Sequence, residues 1–312
     1  MATAVFGSPE RTTPLRLSGL TKRKGVVGQS PLPETASLGA RKSPQQELDS
    51  TLAAQVQTSL MSRVVAIIPA RWGSTRFPGK PLHGIAGKPL IQHVWSRCLE
   101  AEVFDQVVVA TDDMRIVEAA FQFGAEVALT AAEHKSGTDR IAEVAKKMKK
   151  ASLIFNVQGD EPLIDPQLLR RLVRKMQRDP KMDLLTAATP ASPQEAGSEH
   201  IVKVVVDREG SALYFSRSKI PFARSENGPG WLRHLGLYGY RRSALLEFVR
   251  LAPSPLEVTE QLEQLRALEN GMKIRVVISK SGSIGVDTPE DASAIERQIL
   301  SDGGTSAAPA GR

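Results

Sequence analysis

The 312-residue chain has a single cysteine, Cys98, and only 5% aromatic residues, three of them tyrosines and three tryptophans. One thiol excludes an intrachain disulfide framework and a cysteine-built zinc site. In the helix-like stretch "PLIQHVWSRCLEA" it reads as a small buried hydrophobe. No apolar run approaches the length of about 20 residues that spans a bilayer, so no membrane span is expected. No apolar segment near the start reads as a secretory signal, and the expected compartment is the cytoplasm. Acid is in shorter supply than base, 34 Asp and Glu against 41 Lys and Arg, for a net charge of +7. That balance would suit a nucleic-acid partner if it were concentrated on one face. Residues 1–60 carry net +3 of it, which leaves +4 for all the rest. An excess of that size fits one anionic ligand site, and no nucleic-acid partner is expected.

Residues 1–60 are rich in Ser, Thr, Gly, Pro and Ala, lack a sustained hydrophobic period, and are expected to be disordered. A transit peptide is the alternative, but the acids present and the weak amphipathic pattern favour a dispensable extension. From Val64 the sequence changes character. Short apolar runs at Val64–Pro69, Gln106–Thr111, Glu126–Thr130 and Leu153–Gln158 alternate with helical patterns near Pro89–Ala101, Asp113–Phe123 and Thr138–Lys150. This alternation predicts an α/β fold with a mostly parallel, Rossmann-like sheet, whose strand ends gather on one side where ligands bind. After Pro190 the chain reads as β-rich: Val202–Asp207, Ala212–Ser218 and Leu232–Arg241, then helices at Ser243–Leu251 and Thr259–Asn270, strand "KIRVVIS" and a last helix from Pro289. That half is expected to be an insertion completing the same site, giving one domain over residues 61–301 and a disordered tail over 302–312.

The motifs fall at the strand ends. In "IIPARWGSTRFPGKPL" the first strand breaks into a loop that brings Arg71, Ser74, Arg76 and Lys80 together with two glycines. Cations and hydroxyls supply donors for several anionic oxygens, and glycine lets backbone approach a ligand, so this is a loop for a polyphosphate. It is not a Walker A loop, because Gly79 follows Gly73 by six residues and Lys80 precedes a proline. "NVQGDEPLI" ends a buried strand at Asp160, a carboxylate whose natural companion beside a phosphate loop is Mg2+. "GVDTPEDA" places Asp287 ahead of a helix, where capping is the simpler role from the residues alone. "HKSGTDR" offers Ser136, Gly137, Thr138 and Arg140 at a loop entering a helix, suited to a base or ribose. "YFSRS" and "RHLGLYGY" set Arg217, His234 and Tyr238 on neighbouring strands, a set suited to a carboxylated, polyhydroxylated molecule.

These motifs, with "VVVATDD", "ALYFSRSKIP" and "SPLEVTEQLEQLR", occur in the order and spacing of 3-deoxy-manno-octulosonate cytidylyltransferases, and the chain resembles that family over about residues 62–300. The resemblance implies transfer of CMP from CTP to the 2-hydroxyl of 3-deoxy-manno-octulosonate (Kdo), with release of pyrophosphate, for lipopolysaccharide assembly. It implies that Arg71, Ser74, Arg76 and Lys80 hold the CTP phosphates and that Ser136 to Arg140 read the cytidine. It implies Mg2+ on Asp160 and Asp287, a role that displaces capping for Asp287. It assigns the sugar to Arg217, His234, Tyr238, Glu263 and Gln264, and implies a homodimer. A cytidylyltransferase for another acidic sugar and a non-catalytic nucleotide-binding protein are the rival readings. Two departures stand out: Trp72 inside the phosphate loop, and a short Gly-rich segment between Arg224 and Trp231.

Overall fold

The computed structural model describes residues 63–304, except 74–76, 226–227, 229, 281 and 283–284, and only the backbone of 302–304. The expectations for residues 1–60, for Ser74 and Arg76, and for the tail beyond 304 lie outside the described residues.

A run of β-branched residues with no polar interruption makes a strand buried on both faces. β1 (Arg63–Pro69) is the example, with Val64 to Ile68 fully enclosed. It lies at the centre of a sheet that also contains β4 (Gln106–Thr111), β5 (Glu126–Leu129), β6 (Ala151–Asn156), β7 (Leu184–Ala191), β10 (Trp231–Arg241) and β11 (Ile274–Ile278). A two-stranded hairpin, β2 (Gly84–Ile85) with β3 (Lys88–Pro89), stands apart. The main sheet runs in the order β5-β4-β1-β6-β10-β7-β11, parallel throughout except for β10. Helices cover both faces. On one face α1 (Leu90–Glu100), α2 (Met114–Gln122) and α4 (Pro166–Arg178) bury Ile91, Val94, Ile116, Leu169 and Leu172 against Val64, Ala66 and Ile68. On the other, α3 (Gly137–Lys147), α6 (Arg242–Phe248) and α8 (Gln264–Glu269) bury Ile141, Leu245 and Leu265 against Val65 and Ile67. Cys98 lies inside the first of these cores, where burial pushes its thiol pKa up and leaves it inert.

The second half of the chain is less an appendage than expected. β7, β10 and β11 enter the main sheet, and the inserted part reduces to a hairpin of β8 (Lys203–Val206) and β9 (Ala212–Ser216) set beside β10. Several boundaries differ from expectation. β6 starts two residues early, at Ala151 paired with Arg63, and stops two residues early, where Gln158 has left the strand and its side chain donates to the Gly236 carbonyl at 3.1 Å. The helix expected over Thr259–Asn270 is two, α7 (Pro255–Glu260) and α8, separated at Gln261, whose φ of 54° is left-handed and ends a helix. The last helix, α9 (Pro289–Gly304), runs to Gly304, three residues into the expected tail. Between Asp160 and Pro190, α4 and β7 had no assigned sequence signal, although Asp165 caps α4 by accepting from Gln167 N and Pro166 opens its first turn.

Candidate active site

β1 and β6 are parallel neighbours, so their carboxyl ends emerge side by side. They come unusually close. A Cβ on Gly159 would stand 2.8 Å from the Pro69 carbonyl oxygen, so only glycine lets the two backbones pass. Between them opens a cavity of about 260 Å³. Seven of the residues selected from the sequence line it: Arg71, Lys80, Ser136, Gly137, Arg140, Asp160 and Asp287. The loop after β1 is buttressed by Trp72, whose ring packs against Gly79 (left-handed, φ 70°) and carries the Arg115 guanidinium 3.4 Å above its centroid. The aromatic departure in the motif therefore acts as a prop for the loop's glycine turn.

Lys80 is the centre of the cavity. It opens a 3-10 turn, Lys80–Leu82, and its Nζ donates to Asp160 Oδ2 at 2.7 Å and to the Val286 carbonyl at 2.8 Å, with Asp287 Oδ1 at 3.5 Å. One ammonium thus gathers two carboxylates that lie 127 positions apart in sequence numbering, from Asp160 to Asp287. The cap of α9 is Thr288: its hydroxyl accepts from Asp291 N at 3.2 Å, and the Asp291 carboxylate accepts from Thr288 N at 2.9 Å. Asp287 is therefore not needed as the helix cap, the role its residues alone suggested. Two convergent carboxylates in a cavity open to anionic oxygens are the donor set that suits Mg2+, which commonly takes one or two carboxylates and completes its shell with phosphate and water.

α3 forms one wall. Ser136 caps it by accepting from Asp139 N at 3.0 Å, and Arg140, almost wholly buried, is anchored by Asp112 at 3.1 Å and by the Thr130 hydroxyl. Thr138 differs from the expectation for this loop. It is buried, absent from the cavity lining, and its hydroxyl donates to Glu263 Oε2 at 2.5 Å, so it braces the wall instead of presenting a hydroxyl to the base. Loss of hydration raises the Glu263 carboxyl above its usual range, opposed by the Thr138 and Ser136 hydroxyls. Glu263, expected on the sugar, is tied by this bond to the α3 wall of the cavity.

The other sugar residues lie apart from the cavity, around β9 and β10. Arg217 donates from Nε to the Glu260 carbonyl at 3.1 Å and from Nη1 to the Glu199 carbonyl at 3.2 Å, while its own N–H donates to the Glu260 carboxylate at 2.9 Å. His234 stands between Phe215 and Tyr238, with ring centroids 5.0 and 5.4 Å away, and its Nε2 lies 2.9 Å from the Thr186 hydroxyl. Loss of hydration holds its imidazole down at about 3, so it is neutral at physiological pH. Tyr238 is buried beside Thr186, and Gln264, half-buried, opens α8.

Several residues at the site carried no clear signal in the sequence. Gln158 and His134 line the cavity, the latter fixed through Nε2 at 2.7 Å from Glu143. Lys147, the Ala131 N–H and His134 together hold that carboxyl down at about 2. Lys203 is fully buried, its ammonium donating to the carbonyls of Ser198, Ile201 and Arg217. Only the unusual lysine within "VKVVVD" could have flagged it.

A sheet with one antiparallel intruder and a cation-lined cavity at its carboxyl edge define an α/β protein of the nucleotidyltransferase class. A family model described as cytidylyltransferase matches residues 65–274. The chain is 50% identical over 246 residues to a 3-deoxy-manno-octulosonate cytidylyltransferase of Syntrophotalea carbinolica, covering 76% of this chain and 98% of that one. It is 46% identical over 243 residues to the protein of that name from Zea mays, covering 77% and 82%. A solved structure of CMP:2-keto-3-deoxy-manno-octonic acid synthetase complexed with CTP superimposes with a TM-score of 0.75 at 42% identity, covering 77% of this chain and all of that one. The chain belongs to the 3-deoxy-manno-octulosonate cytidylyltransferase family. A cytidylyltransferase of Leptospira borgpetersenii, at 18% identity and a TM-score of 0.54 over 77% and 87% of the two chains, shares the fold alone.

Proposed function

We propose that the chain transfers CMP from CTP to the anomeric 2-hydroxyl of Kdo, releasing pyrophosphate. The observation that carries this reading is the convergence of Asp160 and Asp287 on Lys80 inside a cavity that Arg71 and Arg140 also line. The names of the relatives supply the sugar, and the CTP complex of the similar structure supplies the nucleotide. Arg71 and Lys80 grip the triphosphate, the end of α3 seats the cytidine, and Arg217 takes the sugar carboxylate. With both substrates held, the hydroxyl attacks the α-phosphorus in line with the departing pyrophosphate, and catalysis rests on positioning and charge neutralisation. No protein nucleophile is required, and the buried Cys98 is placed to supply none. Mg2+ held by Asp160 and Asp287 would lower the pKa of the attacking hydroxyl and neutralise charge on the leaving phosphates. Among the described residues no helix is long and apolar enough to cross a membrane. A cytoplasmic homodimer serving lipopolysaccharide assembly is part of the same proposal.

Pyrophosphate release from CTP in the presence of Kdo, an amino analogue of Kdo, or sialic acid tests the reading. Release is expected to be fastest with Kdo. Faster release with another acidic sugar would reassign the substrate, and CTP binding without release on any sugar would make the chain a nucleotide-binding protein and not an enzyme.

A further inference from the structure

The contact between Lys80 and the two aspartates has a consequence for the order in which ligands enter. The Lys80 side chain is only 13% exposed, against 34% for Asp160 and 53% for Asp287, so the ammonium lies deeper than the anions it neutralises. It is fixed there from a third side by the Val286 carbonyl at 2.8 Å, and its backbone is set by the left-handed Gly79 and the buried Pro81. A divalent ion bound by Asp160 and Asp287 would need the space this ammonium fills. Two cations so close repel, and neither site could hold both. We infer that Lys80 occupies the divalent-cation position of the nucleotide-free chain and yields it only when nucleotide phosphates draw the ammonium away.

The inference rests on the proposed function, since it takes Asp160 and Asp287 as the metal carboxylates. Lysine is the residue that suits such a role. Its charge is compact and sits on a flexible four-carbon stem, so Nζ can leave the carboxylates for phosphate oxygens in the same cavity without moving the backbone; an arginine's planar fork would stay locked on them. In the empty state the ammonium prevents two carboxylates from facing each other unpaired. In the loaded state the same charge serves the triphosphate. Metal and nucleotide then enter together, and a divalent ion alone does not assemble the site.

Mn2+ titration of the nucleotide-free full-length chain, read from the electron paramagnetic resonance signal of free Mn2+, tests this without turnover. The wild type is expected to bind Mn2+ weakly. Lys80→Met, which removes the charge and keeps the stem, is expected to bind it at least about tenfold more tightly, a factor of ten being about 1.4 kcal/mol. Lys80→Gln provides the same reading should the methionine variant melt early. Adding Asp287→Asn to Lys80→Met should abolish the gain, which locates it at this site. Equal or weaker Mn2+ affinity in both uncharged variants would overturn the inference. Wild-type pyrophosphate release with CTP and Kdo is measured alongside. Its presence with no gain in Mn2+ affinity sinks the cation exchange alone, and its absence sinks the function on which it rests.

Discussion

The cavity at the sheet's carboxyl edge and the region around β9 and β10 solve opposite physical problems. At the cavity, charge is gathered at the edge of the sheet: Lys80 is held by two aspartates whose side chains keep a third to a half of their exposure. Groups that stay partly hydrated can exchange one charged partner for another at modest cost. In the second region charged groups are packed against fixed protein partners, as Arg217 is against Glu260. His234 is uncharged, Tyr238 and Tyr240 stack with centroids 5.9 Å apart, and Lys203 satisfies its ammonium with carbonyls alone. A buried network of this kind fixes shape. Thr138 and Glu263 join the two regions through one hydrogen bond.

The contrast is broken most strongly at the carboxylates. Asp160→Asn and Asp287→Asn are each expected to lower kcat by at least about 10²-fold, the scale of losing one preorganised electrostatic contact. Melting temperature should hold nearly constant in Asp287→Asn, because Thr288 and Asp291 keep the α9 cap. A kcat that survives while melting temperature falls would return Asp287 to a structural role.

Arg217→Lys is the next effect in size. The arginine commits two hydrogens to the Glu260 and Glu199 carbonyls, and lysine keeps the charge without the fork that reaches both and a ligand as well. The KM for Kdo should rise by the equivalent of about 1.5–3 kcal/mol, the worth of a hydrogen bond to a charged group. CTP affinity, titrated directly without sugar, should stay near wild type. Weakened CTP binding with unchanged Kdo use would erase the distinction between the two regions.

The smallest effect concerns acid. His234 has a folded pKa of about 3, well below its unfolded value of about 6.5, so protons bind the unfolded chain more readily. Its contribution to stability is complete above about pH 6.5 and is lost as pH falls from there toward 3, by up to about 1.4 kcal/mol per pH unit. Thermal unfolding at pH 7 and pH 5 should show a steeper loss for the wild type than for His234→Gln. Equal slopes would mean that the imidazole is hydrated and available to titrate.

How much of this was legible beforehand follows from what each signal depends on. β1 and β4 were readable because a strand buried on both faces is a continuous apolar run, and their bounds fall within a residue of expectation. The break at Gln261 was not, since a left-handed glutamine has no compositional marker. In the site, clusters such as Arg71 to Lys80 announce themselves by local density of charge. The pairing of Asp160 with Asp287 came from resemblance to a family, because periodicity says nothing about which distant loops share a sheet edge. Thr138 shows the limit from the other side: its position in "HKSGTDR" suggested a ligand contact, yet the first turn of α3 aims its hydroxyl at Glu263. Lys203 is marked in the sequence only as a lysine inside an apolar strand, and the three carbonyls that hold its ammonium depend on packing.

The central claim is attack on the α-phosphorus of CTP by a sugar hydroxyl at this cavity. It is tested most directly by incubating the wild-type chain and Asp160→Asn with Kdo, Mg2+ and CTP carrying radioactive phosphorus at either the α or the γ position. The account predicts that wild type moves the α label into a sugar nucleotide and the γ label into pyrophosphate, and that Asp160→Asn does neither at a comparable rate. Label from the γ position on the sugar, or α label recovered only as free CMP, would contradict it.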